Sequence, residues 1–164
     1  MKAKRLTQLA LLTAVASVIF IVELQLPDLI PIPGVKAGLA NIVTVYALYR
    51  YKWQDAALIT LSRILIGTIF GGNISAIIYS LSGAVLCLTG MILLRRIIPI
   101  KYMWLCSSIG GILHNTGQTA AAAALTGSLA VLSYLPFLIC SGCIAGAFTG
   151  ICAELAISRK FPKE

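Results

Sequence analysis

The stretch Gly110-Gly-Ile-Leu-His-Asn-Thr-Gly-Gln-Thr-Ala-Ala-Ala-Ala-Ala-Leu125 decides the fold, because it sets strong hydrogen-bonding side chains into an apolar run. It holds the only histidine, His114, beside Asn115, with Gln118 one helical turn later. The surrounding run from Tyr102 to Ala153 contains no Asp, Glu, Lys or Arg. Residues three and four apart share a helix face, and polar groups at membrane depth usually face a bundle interior or a cavity. The stretch therefore predicts a helix with its polar face turned into a bundle.

The composition predicts an integral membrane protein. Hydrophobic residues make up 59% of the chain and charged residues 11%, whereas a soluble domain is about 45–50% apolar and about 25% charged. The 164 residues leave room for about six spans of ~20 residues, so we expect one transmembrane domain over residues 1–164. The net charge of +8 would suggest nucleic acid in a soluble protein. Here the positive-inside rule accounts for it, and no nucleic-acid partner is expected.

Apolar runs broken by prolines, glycines and charges predict six transmembrane helices in an all-α protein. Their predicted bounds are Leu6–Leu26, Ala37–Tyr49, Trp53–Phe70, Ile74–Leu94, Tyr102–Leu125 and Leu129–Ile157. Pro136 either kinks the last helix or marks its real start. Gly142-x-x-x-Gly146-x-x-x-Gly150 in the same helix is typical of a helix-packing face.

The distribution of basic residues predicts the topology. Eleven of the 13 basic residues fall on one side of such a six-span bundle: Lys2, Lys4, Arg5, Arg50, Lys52, Arg95, Arg96, Lys101, Arg159, Lys160 and Lys163. Lys36 lies on the other side and Arg63 within the membrane. Both termini are therefore expected in the cytoplasm.

The same topology gathers polar residues in the outer half of the bundle and predicts an outward-opening pocket. Glu23, Asn41, Arg63, His114 and Gln118 all fall in this half. Arg63 lies ten residues into its helix, ~15 Å along it. An arginine at mid-membrane costs about 2.5–3.5 kcal/mol on insertion scales, which marks it as a functional candidate.

The charge of the pocket leaves two roles open for Arg63. Together with Lys36 and a protonated His114, it favours a ligand with an anionic group. Alternatively, Arg63 pairs with Glu23 and its role is structural.

The five cysteines lie in apolar segments. Cys140 and Cys143 have the spacing of a redox or zinc pair, but no second pair or nearby histidine accompanies them. The sequence favours small buried hydrophobic residues here, and neither a metal nor a cofactor is expected.

Five motifs then carry a family resemblance. They are Pro33-Gly-Val-Lys-Ala-Gly-Leu-Ala-Asn-Ile-Val-Thr44, Leu61-Ser-Arg-Ile-Leu65, Phe70-Gly-Gly-Asn-Ile-Ser75, Tyr79-Ser-Leu-Ser-Gly83 and His114-Asn-Thr-Gly-Gln118. Together they resemble the Gx transporter family, which is also labelled heptaprenyl diphosphate synthase component I. That family is similar to the S components of energy-coupling factor (ECF) transporters. The resemblance implies a multi-pass protein of the bacterial cytoplasmic membrane.

The resemblance implies a substrate-binding subunit for uptake. S components are six-helix proteins that capture a vitamin outside and dock on a transmembrane scaffold driven by two ATPase subunits. The ligand would be a small vitamin-like or anionic molecule, related to a flavin, a quinone or an isoprenoid. Arg63 would hold its acidic group, while Asn41 and Tyr79 would shape the pocket. His114, Asn115 and Gln118 would donate or accept hydrogen bonds. Ala10-x-x-x-Ala14 looks like the docking motif of helix one.

The family's second label implies prenyl diphosphate synthesis instead. Such chemistry holds Mg²⁺ with clustered aspartates, since Mg²⁺ prefers oxygen ligands. This chain has two aspartates, Asp28 and Asp55, on opposite sides by the predicted topology, so we do not expect an enzyme. A non-catalytic membrane subunit associated with polyprenyl diphosphate or quinone biosynthesis is the alternative function. A third hypothesis is that the polar groups only satisfy one another inside the bundle.

Overall fold

The computed structural model describes residues 3–25, 38–71 and 75–160, and its regular structure there is helical. The six α-helices of this part of the chain are α1 (Ala3–Gln25), α2 (Asn41–Arg50), α3 (Trp53–Gly71), α4 (Ser75–Leu94), α5 (Met103–Thr126) and α6 (Leu135–Lys160). Short 3₁₀ turns precede α5 at Ile100–Tyr102 and α6 at Leu129–Tyr134. The prediction of an all-α protein is confirmed for these residues.

Most helix bounds agree with the sequence-based prediction to within a few residues. Pro136 lies in the first turn of α6, where a proline costs no helical hydrogen bond, so it marks the start of this helix. Two helices begin later than predicted: α6 at Leu135 instead of Leu129, and α2 at Asn41 instead of Ala37, which leaves α2 with only 10 residues. Gly38 adopts a left-handed conformation with φ of 67°, and the turn that follows it delays the helix start.

Three helical segments are long and apolar enough to cross a membrane: Ala3–Gln25, Ala76–Leu94 and Leu129–Ser158. The other three described helices do not combine this length with this apolar character. Polar or charged side chains interrupt α3 and α5, and α2 is short. The chain is therefore a membrane protein with at least part of its bundle built from spanning helices. Six spans and cytoplasmic termini stay predictions.

Successive helices run in opposite directions, which brings the basic residues together at one end. Arg5 in the first turns of α1 forms an ion pair with Asp55 in the first turn of α3. Arg95, just after α4, donates a hydrogen bond to the carbonyl of Leu48 near the end of α2, over 2.5 Å. We call this end, where α1, α3 and α5 begin, the basic end. The largest fully buried side chains fill the bundle toward it: Leu48, Ile59, Met91, Met103 and Cys106.

Glycines bring α5 and α6 into backbone contact. A Cβ on Gly142 would lie 2.7 Å from the carbonyl oxygen of Gly111, and one on Gly150 would lie 2.5 Å from the Cα of Trp104. No side chain fits at such distances. The prediction that the glycines of α6 form a packing face is confirmed.

The prediction of buried cysteines holds for Cys106 but is wrong for Cys140 and Cys143. These two lie three residues apart on the face of α6 that points away from the bundle, and both are exposed. In a membrane protein such a surface faces lipid. Because lipid tails are themselves apolar, a cysteine there does not need to be buried inside the bundle. Cys87 and Cys152 are half-buried.

Candidate ligand-binding cavity

A cavity of about 650 Å³ lies between the helices, and much of its described lining belongs to the half of the bundle away from the basic end. The last turns of α1, α3 and α5 and the first turns of α2, α4 and α6 surround it. It extends inward as far as Met91 and Ser107. Its volume falls within the range of about 300–1,000 Å³ that is usual for small-molecule sites.

Arg63 lies in the wall of this cavity and is only 5% exposed. Its Nη2 donates a hydrogen bond to Oδ1 of Asn41 over 3.1 Å, and its guanidinium lies 5.4 Å from the centroid of the Phe20 ring. Its Nε is buried and has no hydrogen-bond partner among the residues that the structure describes. A guanidinium has five N–H donors, so Arg63 retains donors that a ligand could use.

Glu23 also lines the cavity and is 8% exposed. Its carboxylate accepts a hydrogen bond from the backbone N–H of Gly38, which ties the end of α1 to the turn before α2. Glu23 and Arg63 form no salt bridge within 4.0 Å, although their charges are close enough to interact. The structural pairing considered for these two residues is therefore absent, and Asn41 is the direct partner of Arg63.

His114 and Gln118 share one face of α5, as their spacing predicts, and both line the cavity. They pack against the backbone of α4 at Gly83. A Cβ on Gly83 would lie 3.0 Å from Cε1 of His114 and 2.8 Å from Cγ of Gln118. The missing side chain of Gly83 thus makes room for the polar face of α5 at the cavity wall.

Asn115 touches the cavity but is engaged within the bundle. Its Nδ2 donates a hydrogen bond to the carbonyl of Leu138 over 2.6 Å and lies 3.5 Å from Oγ of Ser141. Both partners belong to the first turns of α6. The side-chain amide of Asn115 therefore joins α5 to α6, and its N–H is not available to a ligand in this arrangement.

The remaining residues singled out from the sequence fall in different places. Tyr79 lines the cavity from the first turns of α4. Lys36 lies outside the described residues, as does Asp28. Ala10 and Ala14 are exposed on α1 and do not line the cavity. The structure thus brings Glu23, Asn41, Arg63, Tyr79, His114, Asn115 and Gln118 together.

Sequence reasoning missed two other aromatic side chains that line the same cavity as Tyr79. Phe20 covers the guanidinium of Arg63, and Tyr134 lines the cavity from the 3₁₀ turn before α6. The position of Phe20, three residues before Glu23, places both on one face of α1. That spacing was the available signal, whereas nothing local marks Tyr134.

The family model described as heptaprenyl diphosphate synthase component I matches residues 12–156. No curated protein and no solved structure matches the chain. The matched range contains all the cavity residues described above.

Proposed function

The chain belongs to the heptaprenyl diphosphate synthase component I family, and we propose that it is a non-catalytic, ligand-binding membrane subunit of polyprenyl diphosphate or quinone synthesis. The description of the family supports this role, because a first component implies a partner subunit. The partner would carry the catalytic residues, and this chain would supply the membrane-embedded part.

One observation supports the proposal that this subunit binds a ligand. Arg63 is buried in the wall of a cavity, and its Nε has no hydrogen-bond partner among the described residues. Burying a polar group without a hydrogen bond costs free energy, and an intramembrane arginine usually faces a functional cavity. Arg63 meets both descriptions, since its Nε has no partner and it lines the cavity. A ligand oxygen would satisfy this donor and strengthen binding by a charge-assisted hydrogen bond.

The position of the carboxylates supports a helper subunit rather than a catalyst. Asp55 is bound by Arg5 and accepts the backbone N–H of Lys52 over 3.1 Å, at the basic end. Among the described lining residues, Glu23 is the only carboxylate. Clustered carboxylates are what a Mg²⁺-diphosphate site requires, and here the two groups lie at opposite ends of the bundle.

The second candidate is the substrate-binding subunit of an ECF-type transporter, and two observations favour it. Much of the cavity's described lining lies away from the basic end, in the half that the positive-inside rule would place toward the outside of the cell. Ala10 and Ala14 lie on an exposed face of α1 beside large exposed side chains such as Leu11, which is 65% exposed. A scaffold subunit with two ATPases would then dock on this face.

Affinity purification from the native membrane in mild detergent distinguishes these candidates. The tagged protein is isolated, and mass spectrometry identifies the proteins and small molecules that remain bound. Recovery of a soluble prenyltransferase supports the helper subunit, whereas recovery of a membrane scaffold with two ATPases moves the function to transport.

The same purification of the Arg63→Gln variant tests whether the cavity binds a ligand through Arg63. The variant should lose the retained small molecule, and Lys101→Gln, which removes an exposed cation at the basic end, should keep it. Equal retention by both variants would remove Arg63 from the binding site.

A further inference from the structure

The part of the cavity lining that the structure describes contains one cation and one anion, and these do not form a direct ion pair. Arg63 and Glu23 are the charged residues among its described lining. They are 5% and 8% exposed, respectively, and no salt bridge joins them. The described lining therefore has a formal net charge of zero with His114 neutral.

Each of the two charges has hydrogen-bonding capacity left. Arg63 uses Nη2 on Asn41, and its Nε has no partner. Glu23 accepts one N–H, from Gly38, while an ionised carboxylate offers about four lone-pair sites. Buried charges are usually paired because isolated ones are costly. A ligand that meets both groups would remove this cost, whereas a ligand that meets only Arg63 would leave Glu23 uncompensated.

Glu23 also acts on any anionic group that Arg63 attracts. A like charge in a site of low dielectric is strongly unfavourable, because Coulomb interactions there are little screened. A diphosphate would bring several negative charges toward a cavity whose described lining supplies one cation and one anion. The rest of the described lining is neutral or apolar and includes Phe20, Ile64, Tyr79 and Tyr134.

We infer that the cavity takes an amphiphilic ligand whose head group has no net charge and offers an acceptor to Arg63 and a donor to Glu23. Zwitterions and amide-bearing head groups share this chemistry, and diphosphates lack it. Glu23 is then the residue that sets selectivity against polyanions. The inference rests on the proposed ligand-binding function, and it replaces the anionic ligand that the sequence suggested.

A matched pair of probes tests the inference. Farnesyl diphosphate and S-farnesylcysteine carry the same apolar chain, but the first has a polyanionic head and the second a zwitterionic head. Affinities are measured by titration of the purified full-length protein in detergent. The wild type should bind S-farnesylcysteine at least ~10-fold more tightly, the size of effect that one uncompensated like charge produces.

The variant Glu23→Gln should lower that preference by about tenfold or reverse it, since it removes the negative charge that repels a diphosphate and attracts the ligand's cation. Glu154→Gln, in α6 toward the basic end, is the matched control and should leave the preference unchanged. A wild type that prefers farnesyl diphosphate, or a preference that Glu23→Gln leaves unchanged, overturns the inference. Failure of the wild type to bind either probe overturns it as well.

These results are separable from the proposed function. A small molecule retained from native membranes in an Arg63-dependent manner upholds ligand binding whatever the probes show. If that molecule is a diphosphate, the inferred selectivity for uncharged or zwitterionic head groups is wrong, but the proposal that this chain is a ligand-binding subunit is upheld. Should Glu23→Gln fail to fold, the wild-type preference between the two probes still decides the question.

Discussion

Arg63 in the middle of α3 donates a hydrogen bond to Asn41, the first residue of α2, over 3.1 Å. This bond holds the guanidinium at the cavity wall. Asn41 is placed in turn by the left-handed turn at Gly38, whose carbonyl accepts the N–H of Asn41 over 2.9 Å. Asn41 is therefore a positioning residue for Arg63.

Replacing Asn41 with alanine should weaken ligand binding about fivefold. The variant removes one hydrogen bond to a charged group, worth roughly 1 kcal/mol or more, and frees the guanidinium to leave its binding orientation. The measurement is the amount of small molecule retained through purification, compared with the wild type. Ser82→Ala is the control, because Ser82 bonds only to the carbonyl of Ile78 in its own helix. Full retention by Asn41→Ala would show that Arg63 does not depend on this bond.

Adding a methyl group at Gly142 should destabilise the bundle by about 1–3 kcal/mol, the usual cost of overpacking. The new Cβ would lie 2.7 Å from the carbonyl of Gly111, so α5 and α6 must separate. Unfolding by denaturant in mixed micelles measures the change. Gly71→Ala is the matched control, since its Cβ would meet only the side chain of Leu24 at 3.4 Å. If both variants have wild-type stability, the close helix contact does not exist.

Neutralising Asp55 should loosen α1 from α3. Asp55→Asn removes the charge that binds Arg5, and its side chain is 7% exposed against 34% for that of Arg5. We expect a loss of about 1.5 kcal/mol in the free energy of unfolding, the lower end of the range for hydrogen bonds to charged groups, because the Arg5 side chain is partly exposed. Retained ligand should be unchanged, because the pair lies at the basic end. The same denaturant measurement applies, and a stability equal to that of the wild type would contradict the role of this pair.

Larger side chains at the small positions of α1 should block a partner while leaving the cavity intact. Ala10→Leu with Ala14→Leu changes the exposed face of this helix, where small residues permit close helix approach. Partner recovery in the native-membrane purification should fall at least about tenfold, and the retained small molecule should stay. Ala156→Leu, also exposed but on α6, should affect neither. Partner recovery that persists in the double variant would place the docking surface elsewhere.

The sequence determined the helices and the candidate residues, because these depend on local patterns. Apolar runs and the breaks between them placed α3 and α4 to within a residue at most ends. The spacing of His114 and Gln118 put them on one face, which the structure confirms at the cavity wall. The glycine repeat of α6 predicted a packing face for the same reason, since its period is that of the helix.

Only the tertiary structure decided how the polar groups are partnered. Charge left both a ligand and Glu23 open as partners of Arg63, whereas the folded chain gives Arg63 a hydrogen bond to Asn41. Asn115 stays a predicted ligand-binding residue, and only the folded chain shows that its side-chain N–H bonds to the carbonyl of Leu138 in α6. A hydrogen bond requires a donor–acceptor distance of about 2.7–3.2 Å, and that distance depends on how closely helices from distant parts of the chain pack. Periodicity fixes which face a residue occupies, but the packing of neighbouring helices fixes which atom it meets.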